Sequence, residues 1–168
     1  MLTLTRAERL ILSNQHRILA LLEPKQEQEH ERIIEVLENG YSSEYGDVAG
    51  YVREEVLSEE QCREVWDILD TFTALQRAYH HLEGDDQSGI NPDRIKFWGF
   101  DGNHEVGYLG YTKFLRGQGK WEDLVPVGGL NSHGQFLGLY RTMVLRWKQS
   151  ANPYDLTRED ILRIIARE

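Results

Sequence analysis

The sequence has few of the features that mark secreted, membrane-spanning or metal-binding proteins. Cys62 is its single cysteine, so no disulfide can form within the chain and no multi-cysteine metal site exists. Its longest apolar runs are a few residues long, far below the roughly 20 residues that a membrane-spanning helix needs. The N-terminal residues also lack the charged-then-apolar order of a secretory signal. We therefore expect a cytoplasmic protein that does not cross a membrane.

Positive charge is scarce in the first half of the chain. Residues 1–90 have 8 Lys and Arg against 19 Asp and Glu, and the formal net charge of the chain is -9 at pH 7. Nucleic acids and anionic membranes are bound largely through Lys and Arg side chains that neutralise phosphates. An acidic chain without a basic run is therefore a poor candidate for either partner. With 40% apolar and 28% charged residues, the composition is that of a globular protein.

Apolar residues recur at helical spacing from the start of the chain. Thr5 and Glu8 have the spacing of a capping box and predict a first helix over residues 6–22. A second helix is expected to end at Gly40, a residue suited to a helix C-terminus. Because the connection between the two helices is short, we expect an antiparallel helical hairpin over residues 1–40.

Two segments of the first third carry weaker signals. Residues 25–32 include no aliphatic or aromatic residue, so we expect this part of the hairpin to lie against solvent. Residues 41–57 have apolar residues at partly helical spacing, but Gly46 and Gly50 interrupt the pattern. A short, imperfect helix is predicted there.

The clearest periodic segment follows. Ser58 and Gln61 form a second capping-box pattern, and apolar residues then repeat at intervals of three, four and seven until Gly84. The pattern predicts a long helix over about residues 59–83, with apolar residues on more than one line around it. Such a helix is expected to form the centre of a bundle.

From residue 83 onward, the sequence predicts helices joined by loops and one short extended piece. The predicted elements are a surface loop over 83–92, an extended piece over 95–100 without a clear partner, a helix capped by Asp101 or Asn103 and running to about Arg116, a loop over 117–131, a helix from Ser132 to before Pro153, and a final helix from Thr157. The sequence thus predicts a single all-α domain over residues 1–168. In it, the hairpin opens a multihelical bundle whose main helical body covers residues 41–168.

Motifs for cofactors and catalysis are incomplete. Gly117 to Lys120 resembles part of a phosphate-binding loop, but Phe114 occupies the position of the first required glycine. Val106 and Thr112 occupy the two positions where a calcium loop needs glycine and glutamate. The six histidines are not spaced as zincin ligands. We therefore name no catalytic residue, no metal ligand and no cofactor.

One stretch is dense in aromatic and polar residues and could line a pocket. It runs over residues 97–105, where aromatic side chains alternate with glycines and precede Asp, His and Glu at a predicted helix start. The alternative, which we favour, is that the aromatic residues are core and the polar residues form a helix cap. The candidate pocket residues are Trp98, Asp101, His104, Glu105, Tyr108 and Arg141.

Asn14 interrupts the apolar arc of the first predicted helix. An unpaired amide buried among apolar side chains would cost about 1–3 kcal/mol. We therefore expect Asn14 to be hydrogen-bonded, with a structural role in fixing the register of a helix or of a subunit contact.

Several pieces of the sequence together resemble one known family. These pieces are Arg9-Leu10-Ile11-Leu12-Ser13-Asn14-Gln15, Gly40-Tyr41, Phe97-Trp98-Gly99-Phe100-Asp101, Tyr108-Leu109-Gly110-Tyr111, and Tyr140-Arg141 with Met143 and Trp147. In this order they resemble the YfbU family. The resemblance implies a multihelical fold that opens with a helical hairpin, in a cytoplasmic bacterial protein. It implies no activity, and it identifies no catalytic or ligand-binding residue.

Three functions are compatible with these observations. The first is a non-enzymatic interaction protein that forms homo-oligomers, because the first and central helices present more apolar surface than a small monomer easily buries. The second is an enzyme or small-ligand binder that uses the candidate pocket near Trp98 to Glu105. The third is a nucleic-acid-associated regulator, which would need one exposed basic face formed by Arg141, Arg146 and Lys148.

Overall fold

The computed structural model describes residues 2–49, 52 and 56–166. Across these residues the regular secondary structure is helical, with two isolated β-bridges and no strand, so the all-α prediction is confirmed. The α-helices are α1 (Arg6–Leu22), α2 (Glu27–Asn39), α3 (Tyr45–Val48), α4 (Glu59–His81), α5 (Val106–Gly117), α6 (Leu137–Lys148) and α7 (Arg158–Ile165). None of these helices is long and apolar enough to cross a membrane.

The chain forms two compact units, Met1–Val56 and Leu57–Glu168. The first contains α1, α2 and α3, and the second contains α4 to α7. Each has its own group of buried apolar side chains. The assignment of residues 1–168 to a single domain stays a prediction.

In the unit Met1–Val56, α1 and α2 lie side by side. Thr5 and Glu8 form the predicted capping box at the start of α1, and Gly40 ends α2 in the left-handed conformation, with φ of 73°. The guanidinium of Arg9 donates to the carbonyl oxygen of Leu37 at 3.0 Å and ties the start of α1 to the end of α2. The small core contains Ile33, Val36, Leu37, Tyr45 and Val48, with Leu4 and Leu12 packed against it.

Two predictions for this unit need correction or restriction. His30 is buried although residues 25–32 were expected to face solvent, because its ring packs against His16 of α1. The imperfect helix expected over 41–57 is a 3-10 turn at Ser42–Glu44 followed by α3. Residues 50, 51 and 53–55 of that segment lie outside the described part of the chain.

His16 and His30 lie in contact, and the surroundings of His16 shift its pKa. Burial lowers the pKa of His16, the neighbouring His30 lowers it further, and Glu29 opposes the shift. Glu23 is the other carboxylate beside the pair, 3.5 Å from Nε2 of His30. Since the pKa of His16 in the folded chain lies below its ordinary value of about 6.5, the unfolded chain takes up protons first as the pH falls.

We therefore expect α1 and α2 to lose stability as the pH falls from 6.5 towards the lowered pKa of His16. Above about pH 6.5 the full contribution of His16 to the free energy of unfolding is present. The measurement is the urea midpoint of helix loss at about pH 8 and at about pH 5. His16→Gln should reduce the difference between the two midpoints, and an undiminished difference in this variant would assign the effect to other groups.

The unit Leu57–Glu168 is built around α4. The capping box predicted at Ser58 and Gln61 is present, and α4 ends at His81, close to the predicted boundary of 83. α5, α6 and α7 all pack against it. Val65, Leu69 and Phe72 on one of its apolar lines and Ile68 and Leu75 on the other are at most 1% exposed. Trp66, on the first of these lines, is 41% exposed. A cluster of aromatic rings forms the middle of this core: Phe72, Phe97, Phe100, Tyr108 and Tyr140.

The segment around Phe97 to Phe100 has a partner that the sequence did not reveal. It forms isolated parallel bridges from Phe97 to Pro126 and from Phe100 to Asn131. Gly99 lies between the bridges with φ of 85°, and a Cβ atom there would fall 2.0 Å from the carbonyl oxygen of Leu130. Only glycine permits so close an approach of the two backbones. Gly99 therefore allows the long loop before α6 to close over the aromatic core.

Two helices begin later than predicted. α5 begins at Val106, because the Asp101 carboxylate accepts from the backbone of Asn103 and holds residues 101–105 in a turn. α6 begins at Leu137 and not at Ser132, whose hydroxyl instead donates to the carbonyl oxygen of Gly134 at 2.6 Å. In both places a local side-chain hydrogen bond competes with the helix.

Candidate functional site

The six residues proposed for a pocket lie in the unit Leu57–Glu168 and make different kinds of contact. Asp101, His104 and Glu105 form one group in the turn before α5. Tyr108 and Arg141 form another group through a shared carboxylate. Trp98 stacks on Phe136, with 6.4 Å between ring centroids. Its indole nitrogen donates to the carbonyl oxygen of Asp93.

The group around Asp101 contains a carboxylate paired with a histidine. Asp101 is buried, and its Oδ2 lies 2.5 Å from Nδ1 of His104, whose side chain is largely exposed. The hydrogen bond with His104 and that with the backbone of Asn103 lower the pKa of Asp101. Because Nδ1 of His104 pairs with Asp101, Nε2 is the ring nitrogen left for contacts with another molecule. The enzymatic alternative would depend on this nitrogen, and it stays a prediction.

Both carboxylate oxygens of Glu105 accept hydrogen bonds from backbone N–H groups. Its buried carboxylate accepts from the backbone N–H of Asp101 and from that of Leu137, both at 2.9 Å. Leu137 is the first residue of α6, where backbone N–H groups lack partners within the helix. Glu105 therefore joins the turn before α5 to the start of α6, in agreement with the structural interpretation of this stretch.

Glu64 of α4 joins three helices. It accepts from Arg141 of α6 at 2.6 Å and 3.0 Å and from the hydroxyl of Tyr108 of α5. Arg141 and Tyr108 lower the pKa of Glu64 against the opposing effect of burial, and burial together with Glu64 raises the pKa of Tyr108 to about 12. Sequence reasoning missed Glu64, because it lies 44 residues from Tyr108 and 77 from Arg141 and belongs to no local motif.

The basic residues required by the nucleic-acid hypothesis have partners within the protein. Arg141 is paired with Glu64, and Lys148 is paired with Asp67. Arg146 donates to the carbonyl oxygens of Ile164 and Ala166. Phosphate binding would have to compete with these contacts.

Among the described helices, α1 carries the most exposed large apolar side chains. Five large aliphatic residues of this helix, together with Ala7 and Asn14, fall within an arc of about 120° on an ideal helix. We call this arc the α1 stripe, and its aliphatic members are Leu10, Ile11, Ile18, Leu21 and Leu22. The exposed fractions of these five side chains range from 57% to 83%. The opposite side of α1 carries the buried Ser13 and the partly buried Leu12.

The two helices that motivated the self-association hypothesis, α1 and α4, differ in how far their apolar residues are exposed. Most apolar residues of α4 are buried within the unit Leu57–Glu168, with Trp66 as an exception, whereas the large aliphatic residues of the α1 stripe are exposed. The stripe also carries no charged side chain, although charged residues make up 28% of the chain. Exposed apolar surface of this kind marks interaction sites. We take the α1 stripe as the candidate functional site.

Asn14 lies in the middle of the α1 stripe and is exposed. Its side-chain oxygen accepts from the guanidinium of Arg17 at 3.0 Å. Arg17 is in turn held by Ser13 and Glu38. The amide N–H groups of Asn14 remain able to donate to another molecule.

Comparison with known proteins agrees with the resemblance found in the sequence. The family model described as the YfbU domain matches residues 2–166. The UPF0304 protein of Methanocaldococcus jannaschii is 37% identical in an alignment of 168 positions that covers 96% of this chain and 98% of that protein. Neither description states an activity or a ligand. The chain belongs to the YfbU family.

Proposed function

We propose that the protein is a non-enzymatic interaction protein of the cytoplasm that self-associates through the α1 stripe. The observation that carries this proposal is the exposure of five large aliphatic side chains on one uncharged face of α1. The tight contacts of Glu105, Tyr108 and Arg141 support a non-enzymatic role, because they use these groups to join helices. The single cysteine supports the cytoplasmic assignment.

A second copy of this chain fits the stripe better than an unrelated partner does. Ala7, Ile11, Asn14, Ile18 and Leu21 follow one another at alternating intervals of four and three residues, the spacing at which two helices pack along a common seam. An asparagine in such a seam has both a donor and an acceptor, so it can pair with the asparagine of an identical helix. A charged partner would find no counter-ion on the stripe.

The order of side-chain sizes favours an antiparallel pair related by a two-fold axis. Asn14 stands at the centre of the stripe, with Ala7 and Leu21 each seven residues away. An axis through Asn14 therefore places the small Ala7 opposite the large Leu21 of the other copy. A two-fold contact uses the same surface on both subunits, as this stripe does.

Substitution of Ile18 by glutamate tests the proposal. We expect the full chain to have twice its 19.6 kDa mass in light scattering at micromolar concentration. Ile18→Glu should weaken association about 100-fold or more, because two negative charges would be buried in the contact. Leu145→Glu is the matched control, since Leu145 is an aliphatic residue of α6 with an exposed fraction of 63% against 58% for Ile18.

The control should keep the mass of the wild type. A strictly monomeric wild type would overturn the proposal. Equal dissociation of Ile18→Glu and Leu145→Glu would overturn the assignment to α1. Circular dichroism of both variants separates loss of association from loss of folding.

A further inference from the structure

The contact between His16 and His30 has the geometry of a pair of metal ligands. His16 belongs to α1 and His30 to α2, and their Nδ1 atoms lie 3.0 Å apart. Two nitrogens bound to one tetrahedral zinc ion, each at about 2.0–2.1 Å, lie about 3.4 Å apart. An opening of a few tenths of an ångström, with a rotation of each ring by about 35° that turns its Nδ1 from the other ring towards a shared point, would admit an ion. The backbones already bring both rings to nearly the required separation.

We infer that His16 and His30 form a binding site for a divalent transition-metal ion such as Zn²⁺, with Nδ1 of each ring as a ligand. Imidazole nitrogen suits zinc, nickel and copper, whereas magnesium and calcium require oxygen ligands. Both rings must be neutral to bind, and each then carries its proton on Nε2. Without the ion, the two Nδ1 atoms share one hydrogen bond, with one ring donating and the other accepting.

The surroundings of His30 supply an independent reason for this inference. The side chain of His30 is 8% exposed, and its buried Nε2 makes no hydrogen bond within the described part of the chain. That atom lies 3.5 Å from Oε2 of Glu23. A metal-bound histidine commonly donates its other ring N–H to a carboxylate, which fixes the ring and strengthens the ligand. Glu23 is placed to act in this way once His30 carries its proton on Nε2.

The site has two protein ligands, and water would fill the remaining positions. Among the described residues no group of three or more His, Cys, Asp or Glu side chains is arranged to hold a metal ion. The affinity should therefore be lower than that of a structural zinc site with four protein ligands. The sequence did not reveal this pair, because the two histidines are 14 residues apart on different helices.

The test is a Zn²⁺ titration of the full chain, followed by nuclear magnetic resonance of the histidine ring nitrogens. We expect zinc to shift the Nδ1 resonances of His16 and His30, with Nε2 of both rings protonated. His16→Gln should weaken zinc binding about tenfold or more, since half of the protein ligands are lost. His81→Gln is the matched control, because His81 is an exposed histidine in the last turn of α4. It should bind zinc as the wild type does.

Two results would overturn the inference. One is a titration in which zinc first shifts the exposed histidines at 80, 81, 104 or 133, and leaves His16 and His30 unchanged. The other is equal zinc affinity in His16→Gln and the wild type. The ring-nitrogen spectra of the wild type decide the question even if His16→Gln folds poorly.

Discussion

Replacement of Gly99 by alanine should strongly destabilise the unit Leu57–Glu168. The new Cβ atom would fall 2.0 Å from a backbone oxygen and 2.4 Å from a backbone carbon of Leu130, neither of which can move as a side chain would. Alanine would also have to adopt φ near 85°, which L residues rarely do. We expect a loss of about 4 kcal/mol or more, a large part of the 5–15 kcal/mol that stabilises a typical domain.

Gly110→Ala provides the matched control for this substitution. Gly110 lies within α5, and no atom comes within 4 Å of a Cβ built there. Alanine favours a helix interior over glycine by up to about 1 kcal/mol, so this variant should be slightly more stable than the wild type. Urea unfolding followed by circular dichroism measures both variants. A Gly99→Ala protein with the midpoint of the wild type would show that the two backbones do not approach so closely.

Truncation of Glu105 to alanine should cost about 2–4 kcal/mol, the second large effect that we expect. The substitution removes the acceptor for two backbone N–H groups, those of Asp101 and Leu137, and an unsatisfied buried donor costs about 1–3 kcal/mol. Glu105→Gln keeps one side-chain oxygen as an acceptor. It should therefore lose about half as much.

The measurement is again the free energy of unfolding in urea. Glu122→Ala is the control, because Glu122 is an exposed glutamate in the loop after α5. It should change stability by less than about 0.5 kcal/mol. Equal effects of Glu105→Ala and Glu122→Ala would show that the Glu105 carboxylate does not support the start of α6.

Local signals in the sequence predicted most of the helices. Thr5 with Glu8 and Ser58 with Gln61 have capping-box spacing, and both boxes are present at the starts of α1 and α4. A capping box involves residues only three positions apart, so it can be read from the sequence. The apolar repeat that follows Ser58 likewise predicted the length of α4.

The contacts that organise the candidate sites could not be predicted in this way. Glu64 meets Arg141 across 77 positions of the chain, and Glu105 meets Leu137 across 32. No spacing rule connects residues so far apart. The sequence also could not show that most apolar residues of α4 are buried while the large aliphatic residues of the α1 stripe are exposed, because both helices have the same kind of apolar pattern.

The small core of the unit Met1–Val56 has a consequence for how this part of the chain stays folded. Five apolar side chains are buried in its described residues. A segment of this size buries a modest share of its surface and is marginally stable by itself. Apolar contact with a second copy would add to that core, and mass action would then couple the folding of this unit to the protein concentration. Dilution would act on α1 and α2 as a mild denaturant does.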